Sequence, residues 1–246
     1  MLFIIGTVTQ RTEKVAESIA RQIMQDIRRQ KLEPGSMLPA ESAMLERFGV
    51  GRGSLREALR ILEINGLVVL KPGPKGGPVV AAQDPAAFGQ VMTLHLQALG
   101  ATYRELLQAR VEYEVLMARK AAEREDALPG DLAKVALAAK GDVNDDQRYG
   151  AASADFHRAI GLAVGNPVLR MVSDAIYSIW AIRVTRVLYP VDQRDDVLRQ
   201  HEAIGRAIER HDGRRAERLM REHMTAYQEY CEQRYPARMD DYVDWD

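Results

Sequence analysis

Two short helical segments joined by a tight turn restrict the fold of this chain more than any other feature. Pro39 opens the first segment, which runs to Phe48, and the second begins near Gly51 and runs to about residue 66. Gly49 supplies the left-handed conformation that stops the first helix. Two short helices linked by Gly49-Val50-Gly51 are typical of a helix-turn-helix.

The sequence on either side of this pair completes a domain. Upstream, residues 12–30 place Val15, Ile19, Ile23 and Ile27 on one stripe of a predicted helix. Downstream, two short strand-like runs flank a loop rich in Gly and Pro over residues 71–78, which predicts a β-hairpin wing. Residues 1–82 are therefore expected to form a winged helix-turn-helix of three helices plus the wing.

Beyond residue 84 the strand pattern disappears. Short connections between the remaining helices predict an all-α antiparallel bundle over residues 83–235, so the chain is mostly α. An acidic tail, residues 236–246, is expected to fray. The predicted helices lie near residues 85–99, 102–125, 128–140, 145–164, 167–188, 193–211 and 214–234.

Charge is distributed unevenly along the 246 residues. Residues 1–82 carry 12 Lys/Arg against 8 Asp/Glu, and the remainder carries 22 against 27. A basic N-terminal third suits a chain that meets a polyanion there, although chance scatter gives the same numbers. The single cysteine, Cys231, indicates a reducing compartment, and no stretch approaches a membrane span. We therefore expect a cytoplasmic protein without membrane contact.

The second helix of the pair has the features of a recognition helix. Arg52, Ser54 and Arg56 occupy its first turn, which is the part that enters the major groove. Arginine pairs with guanine O6 and N7, and serine reaches a base or a phosphate. Lys71 and Lys75 on the wing add phosphate or minor-groove contacts. Alternatively, the arginines only solvate a helix surface, a reading that the basic wing disfavours.

Three spaced motifs in this region resemble the GntR family of bacterial regulators. The resemblance implies that Arg52 and Arg56 are the main operator-contacting arginines and that Gly73 approaches the minor groove. Ser42 stands where many members carry arginine, so one DNA contact is weaker or missing. The motifs are LEPGSMLPAE at residues 32–41, FGVGRGSLREAL at 48–59 and LEINGLV at 62–68.

The C-terminal region contains five spaced segments: LQARVE at residues 107–112, FHRAI at 156–160, GNP at 165–167, HEAI at 201–204 and MREH at 220–223. Through these segments it resembles the FCD ligand-binding domain of the FadR subfamily, which implies a sensor for a small molecule.

Histidine spacing indicates a metal site in this bundle. His201 and His223 each lie eleven residues from Asp212, so in an antiparallel hairpin both stand about 16 Å from the turn at 1.5 Å per residue. The resemblance adds His157 as a third ligand. Three imidazoles with an open position fit a divalent ion, zinc first, that also binds an effector. Ser153 stands where metal-binding members usually carry aspartate, which leaves that place to water or an effector oxygen.

Arg110 interrupts an apolar helical stripe, so its charge requires a partner. Glu114, one turn on, is one choice. A bidentate clamp on the carboxylate of an effector is the other, and it is what the resemblance implies. Tyr177, Trp180 and Arg183 either line the same cavity or belong to the core and surface of their helix.

These features predict a transcription regulator and not an enzyme, and the resemblance implies that it acts as a repressor. A single winged helix contacts few base pairs, so a homodimer on a short inverted repeat of operator DNA is expected. Two alternatives remain. Either the protein is a metal-free regulator whose histidines bind the effector, or the histidines are ordinary hydrogen-bonded residues of the core or surface. A metal-dependent hydrolase is disfavoured because Glu202 points about 100° away from His201 around the helix.

Overall fold

A computed structural model describes residues 14–73, 76–82, 84–126, 131–138, 140–141, 143–183 and 189–244. The chain divides into two compact units, Met1–Ala87 and Phe88–Asp246. Among the described residues, no helix combines the length and the apolar character that a bilayer crossing requires.

The first unit is a winged helix-turn-helix, as predicted. It contains α1 (Val15–Arg29), α2 (Glu41–Phe48) and α3 (Arg52–Ile64), followed by strands β1 (Val68–Lys71) and β2 (Gly77–Val80). The strands pair antiparallel from Val68 opposite Val80 to Lys71 opposite Gly77. Gly49 ends α2 with a φ of 62°, the left-handed conformation that glycine adopts without steric cost.

The apolar stripe of α1 differs in one position from the prediction. Ile19, Ile23 and Ile27 are buried against α3, but Val15 is 57% exposed. Residues four apart on a helix advance by 400°, so each step drifts by about 40° and Val15 lies roughly 120° away from Ile27. Ala16 is buried in its place.

The second unit is built from helices, and its described residues form no strand beyond a single bridge between Thr102 and Tyr242. Helix α5 packs against α7, α8, α9 and α10, and a capping box at Thr102 fixes its first turn. The helices are α4 (Pro85–Leu99), α5 (Tyr103–Ala122), α6 (Leu132–Ala136), α7 (Asp146–Ala163), α8 (Pro167–Arg183), α9 (Val191–Glu209), α10 (Gly213–Arg234) and α11 (Pro236–Asp240).

One predicted helix has shorter bounds than expected. Helix α6 occupies Leu132–Ala136 rather than residues 128–140, and α8 is described over Pro167–Arg183, so its predicted extension to residue 188 stays a prediction. Residues 127–130 and 184–188 lie outside the described part of the chain. Side-chain capping by Asp131 sets the start of α6, because its carboxylate accepts from the backbone N–H of Lys134.

The expectation that the acidic tail frays is wrong for residues 236–244. Met239 and Val243 are fully buried, in a cluster with Tyr103 and Cys231. The Tyr103 N–H donates to the carbonyl of Asp241, and the Val243 N–H donates to the carbonyl of Ala101. Two apolar side chains among the acidic residues therefore anchor this C-terminal segment, residues 236–244, to the start of α5.

Candidate functional site

The start of α3 presents the side chains predicted to read DNA. Arg52 and Arg56 are exposed and Ser54 is half-buried, while Leu55 beside them is fully buried. Arg56 makes an exposed ion pair with Glu41 at the start of α2, with Nε 3.4 Å from Oε1. An exposed ion pair of this kind is weak, so the guanidinium of Arg56 is available to a base edge.

The neighbouring surface extends to α2 and the wing. Ser42 is exposed on the first turn of α2, and Lys71 is exposed at the end of β1. Gly73 has a φ of 102° and an added Cβ would meet no atom within 4 Å, so the wing backbone is open to close approach. Lys75 lies outside the described residues.

Three buried histidines from three helices meet inside the second unit. His157 comes from α7, His201 from α9 and His223 from α10, and their ligand atoms all lie within 4.8 Å of one another. The Nε2 atoms of His201 and His223 are 3.1 Å apart. The His201 ring stacks on Phe156, with ring centroids 4.3 Å apart. We call these three residues the histidine cluster.

Hydrogen bonds at the outer ring nitrogens orient two of these imidazoles. His157 Nδ1 is 3.0 Å from Glu114 Oε2, and His223 Nδ1 is 2.8 Å from Gln200 Oε1. Both oxygens are acceptors, so each Nδ1 carries the proton and each Nε2 keeps a free lone pair. Metal-binding histidines are commonly held this way. The Nδ1 of His201 is buried and has no hydrogen-bond partner among the described residues.

The environment keeps His201 and His223 in their neutral form. Burial, followed by the charges of the neighbouring imidazoles and of Arg110, lowers the pKa of His201 well below its usual value. Burial, followed by His157, lowers the pKa of His223 to about 3. A neutral imidazole is the form that binds a metal ion. The donor set therefore fits a divalent transition ion.

Glu114 lies between the histidine cluster and Arg110. Its Oε1 is 3.5 Å from Arg110 Nε, and both side chains are buried. Burial by itself raises the pKa of the Glu114 carboxyl, but the charge and hydrogen bond of His157, together with Arg110, outweigh it and hold this pKa at about 2. The carboxyl group is therefore a carboxylate inside the helical unit.

A cavity of about 170 Å³ lies beside the cluster. Arg110 faces it, with its guanidinium carbon 4.9 Å from the ring centre of Tyr177. Ser153 and Tyr177 line the cavity as the sequence suggests, and the side chain of Arg183 lies outside the described part. The other lining residues are Tyr149, Gly150, His157, Trp180, Ala181, Tyr189, Val197, His223, Met224 and Tyr227.

Sequence reasoning missed two residues of this site. Gln200 precedes a predicted ligand, but a neighbour in sequence points to another helix face, so nothing marked it as the partner of His223. Arg194 is only 4% exposed and donates to the carbonyls of Tyr189 and Val143, which fixes two chain segments near the cavity. One signal for Arg194 was its place on the face of α9 that Val197 and His201 share.

The chain matches two family models. Residues 15–75 match the bacterial regulatory proteins of the gntR family, and residues 105–226 match the FCD domain. These matches cover α1 to β1 of the winged helix-turn-helix and the helices that carry the histidine cluster.

Curated relatives match over most of both chains. The HTH-type transcriptional repressor NanR of Enterobacter sp. (strain 638) is 30% identical over 221 residues, covering 87% of this chain and 84% of that protein. NanR of Escherichia coli K12 is 29% identical over 222 residues, covering 87% and 83%.

A solved structure shares the fold. Streptococcus agalactiae GntR superposes with a TM-score of 0.65 at 21% identity, covering 87% of this chain and 99% of that one. Fold, family models and relatives agree. This chain belongs to the GntR family: it is a DNA-binding transcriptional regulator with an FCD effector-binding domain.

Proposed function

We propose that this regulator is a repressor whose affinity for operator DNA is set by a small carboxylate metabolite, bound in the second unit beside a divalent metal ion. One observation carries the proposal: three buried imidazoles converge next to a cavity that a buried arginine also faces. The related NanR proteins bear the name of transcriptional repressors, which supports repression over activation.

The proposed DNA interface is the start of α3 with its surroundings. Arg52 and Arg56 read guanines in the major groove, and Ser54 contacts a base or a phosphate. The remaining contacts go to the backbone or the minor groove, and they come from Ser42, Lys71, Gly73 and Lys75.

The proposed metal ligands are His157, His201 and His223, with zinc as the first choice because imidazole suits it. The ion would supply a Lewis-acid position for an anion. Glu114 and Gln200 hold the ligand nitrogens of His157 and His223 toward the centre of the cluster.

The proposed effector contacts are Arg110, Ser153, Tyr177 and Arg183. Arg110 pairs with the carboxylate through its planar fork of donors, and the ring of Tyr177 supports the guanidinium from one side. Ser153 takes the place that an aspartate ligand usually fills. Without that negative charge, the three neutral imidazoles leave the double charge of the ion for an anionic effector to balance.

We further infer a homodimer that binds a short inverted repeat, because one winged helix contacts few base pairs. The effector changes operator affinity because it binds one conformation of the dimer better than the other. We also infer a cytoplasmic protein, because the operator DNA that it binds lies in the cytoplasm of a bacterial cell. We also infer that the chain functions as two domains, residues 1–82 and 83–235, with the C-terminal segment completing the second.

A metal-free regulator is the second candidate. The direct 3.1 Å approach of His201 Nε2 to His223 Nε2 also suits an N–H···N hydrogen bond between neutral rings. In that case the histidines would contact the effector themselves.

Metal analysis separates the two candidates. We expect one divalent ion per chain after purification without chelators. We also expect zinc to raise the Tm of the metal-stripped wild type, because ligands that bind only the native state stabilise it. His201→Ala should lose that rise, whereas His95→Ala, an exposed histidine on α4, should keep it. Wild-type protein that neither carries nor responds to zinc would establish the metal-free regulator.

The effector is sought with a panel of small carboxylates. A carboxylate that releases wild-type protein from its operator should fail to release Arg110→Met, although that variant still binds the operator. Equal release of both proteins would remove Arg110 from the effector site.

A further inference from the structure

Three buried side chains form a continuous chain from the cavity to the histidine cluster. Arg110 Nε lies 3.5 Å from Glu114 Oε1, and Glu114 Oε2 lies 3.0 Å from His157 Nδ1. The side chains of all three are at most 7% exposed. One carboxylate therefore serves two partners, with a different oxygen for each.

The two contacts of Glu114 differ in quality. The contact with His157 has the length of a good hydrogen bond, whereas the contact with Arg110 is long and no described residue makes a hydrogen bond to the Nε of Arg110. Aromatic rings support the guanidinium on the cavity side, 4.9 Å away at Tyr177 and 5.8 Å away at Tyr227. Arg110 is thus loosely held by Glu114 and accessible to a second anion.

Low polarity makes this arrangement sensitive to charge. Coulomb interactions between buried groups are several times stronger than in water. The positive charge of Arg110 partly compensates the negative charge of the Glu114 carboxylate. The electrostatic attraction between Glu114 and His157 is therefore weaker. It also repels any cation held by the imidazoles. Neutralising Arg110 removes both effects at once.

We propose that Glu114 is a positioning residue that couples the effector cavity to metal binding. An anion that pairs with Arg110 leaves Glu114 to polarise and orient His157 alone, so the histidine cluster binds its ion more tightly. By reciprocity, the bound ion strengthens the binding of the anion by the same factor. This inference rests on the proposed metal-binding function and adds to it the route by which the two ligands act on each other.

The test uses the metal alone on the full-length chain. Cobalt(II) and zinc are titrated calorimetrically into wild type, Arg110→Met, Glu114→Gln and the double variant. We expect Arg110→Met, which imitates a neutralised arginine, to bind metal about fivefold more tightly or better. We expect Glu114→Gln to bind metal about 10- to 100-fold more weakly.

The double variant identifies the route. If Arg110 acts through Glu114, Arg110→Met will change metal affinity little once Glu114 is already Gln. An undiminished effect in that background would mean that Arg110 acts on the ion directly, and it would overturn the coupling role of Glu114. Glu112→Gln is the matched control, because Glu112 lies on the same helix but is exposed and paired with Arg221. It should leave affinity unchanged.

A conservative variant keeps the test decisive if Glu114→Gln does not fold. Glu114→Asp keeps the charge but shortens the side chain, so the hydrogen bond to His157 is lost. We expect weaker metal binding and an altered cobalt(II) absorption spectrum, which reports the ligand geometry. An affinity and a spectrum equal to those of wild type would overturn the positioning role while leaving the metal site intact. Wild type that binds neither metal would overturn the proposed metal site and this inference together.

Discussion

His201 and His223 approach each other through their Nε2 atoms at 3.1 Å across 22 positions of sequence. They belong to the helices on either side of the turn that Asp212 caps, at equal distances from it. The pair is a consequence of hairpin symmetry: equal numbers of residues at one rise per residue bring two side chains to one height. His157 arrives from α7 and makes the pair a cluster.

DNA recognition by α3 leads to the first prediction. Arg52→Ala and Arg56→Ala should each lose about 1–3 kcal/mol of specific operator binding, because each removes a donor fork for guanine. Fluorescence anisotropy compares an operator selected from a random duplex library with its scrambled sequence. Arg28→Ala, an exposed arginine on α1, is the control and should retain its preference for the operator. Both α3 variants keeping full discrimination would contradict the assignment.

Assembly leads to the second prediction. We expect light scattering to report a dimer of two 27.6 kDa chains, free and on the operator, because an inverted repeat requires two copies of α3. Shifting the half-site spacing by half a helical turn should abolish tight binding. A monomer under both conditions would refute this arrangement.

The C-terminal segment leads to the third prediction. Val243→Asp should lower the free energy of unfolding by several kcal/mol in urea, because it places an unpaired charge in the cluster with Tyr103 and Cys231. Met239→Ala should cost about 2–5 kcal/mol through the cavity it leaves. Tyr242→Ala, between them but 66% exposed, serves as control and should change stability little. If all three variants unfold at the urea midpoint of the wild type, the segment contributes nothing to stability.

Local patterns were sufficient to predict the first unit. The stop at Gly49, the burial of Leu55 and Leu59 and the pairing of the wing strands depend on residues near each other in sequence. Periodicity also predicted the long helices of the second unit. The exposed position of Val15 was missed because a repeat of four was treated as one straight stripe, although such a stripe winds around the helix.

Contacts between distant residues account for what sequence reasoning missed. The tail was predicted to fray because of its acidic composition. Its order depends instead on the packing of Met239 and Val243 against the start of α5. Glu114 was considered only as the partner of Arg110, its neighbour one turn away, whereas its shorter contact is with His157, 43 positions later. Gln200 likewise acquires its role from the neighbouring helix. Such pairings require the tertiary arrangement and have no periodic signal.

The attachment of the C-terminal segment also orders events during protein synthesis. Tyr103 at the start of α5 donates a hydrogen bond to Asp244, 141 positions later, so this contact forms only after the C-terminal segment has been synthesised. The apolar core of the winged helix-turn-helix joins residues between Ala16 and Val80, and domains generally fold as units from the N-terminus. Each nascent chain therefore has a finished DNA-binding head before it has a finished sensor.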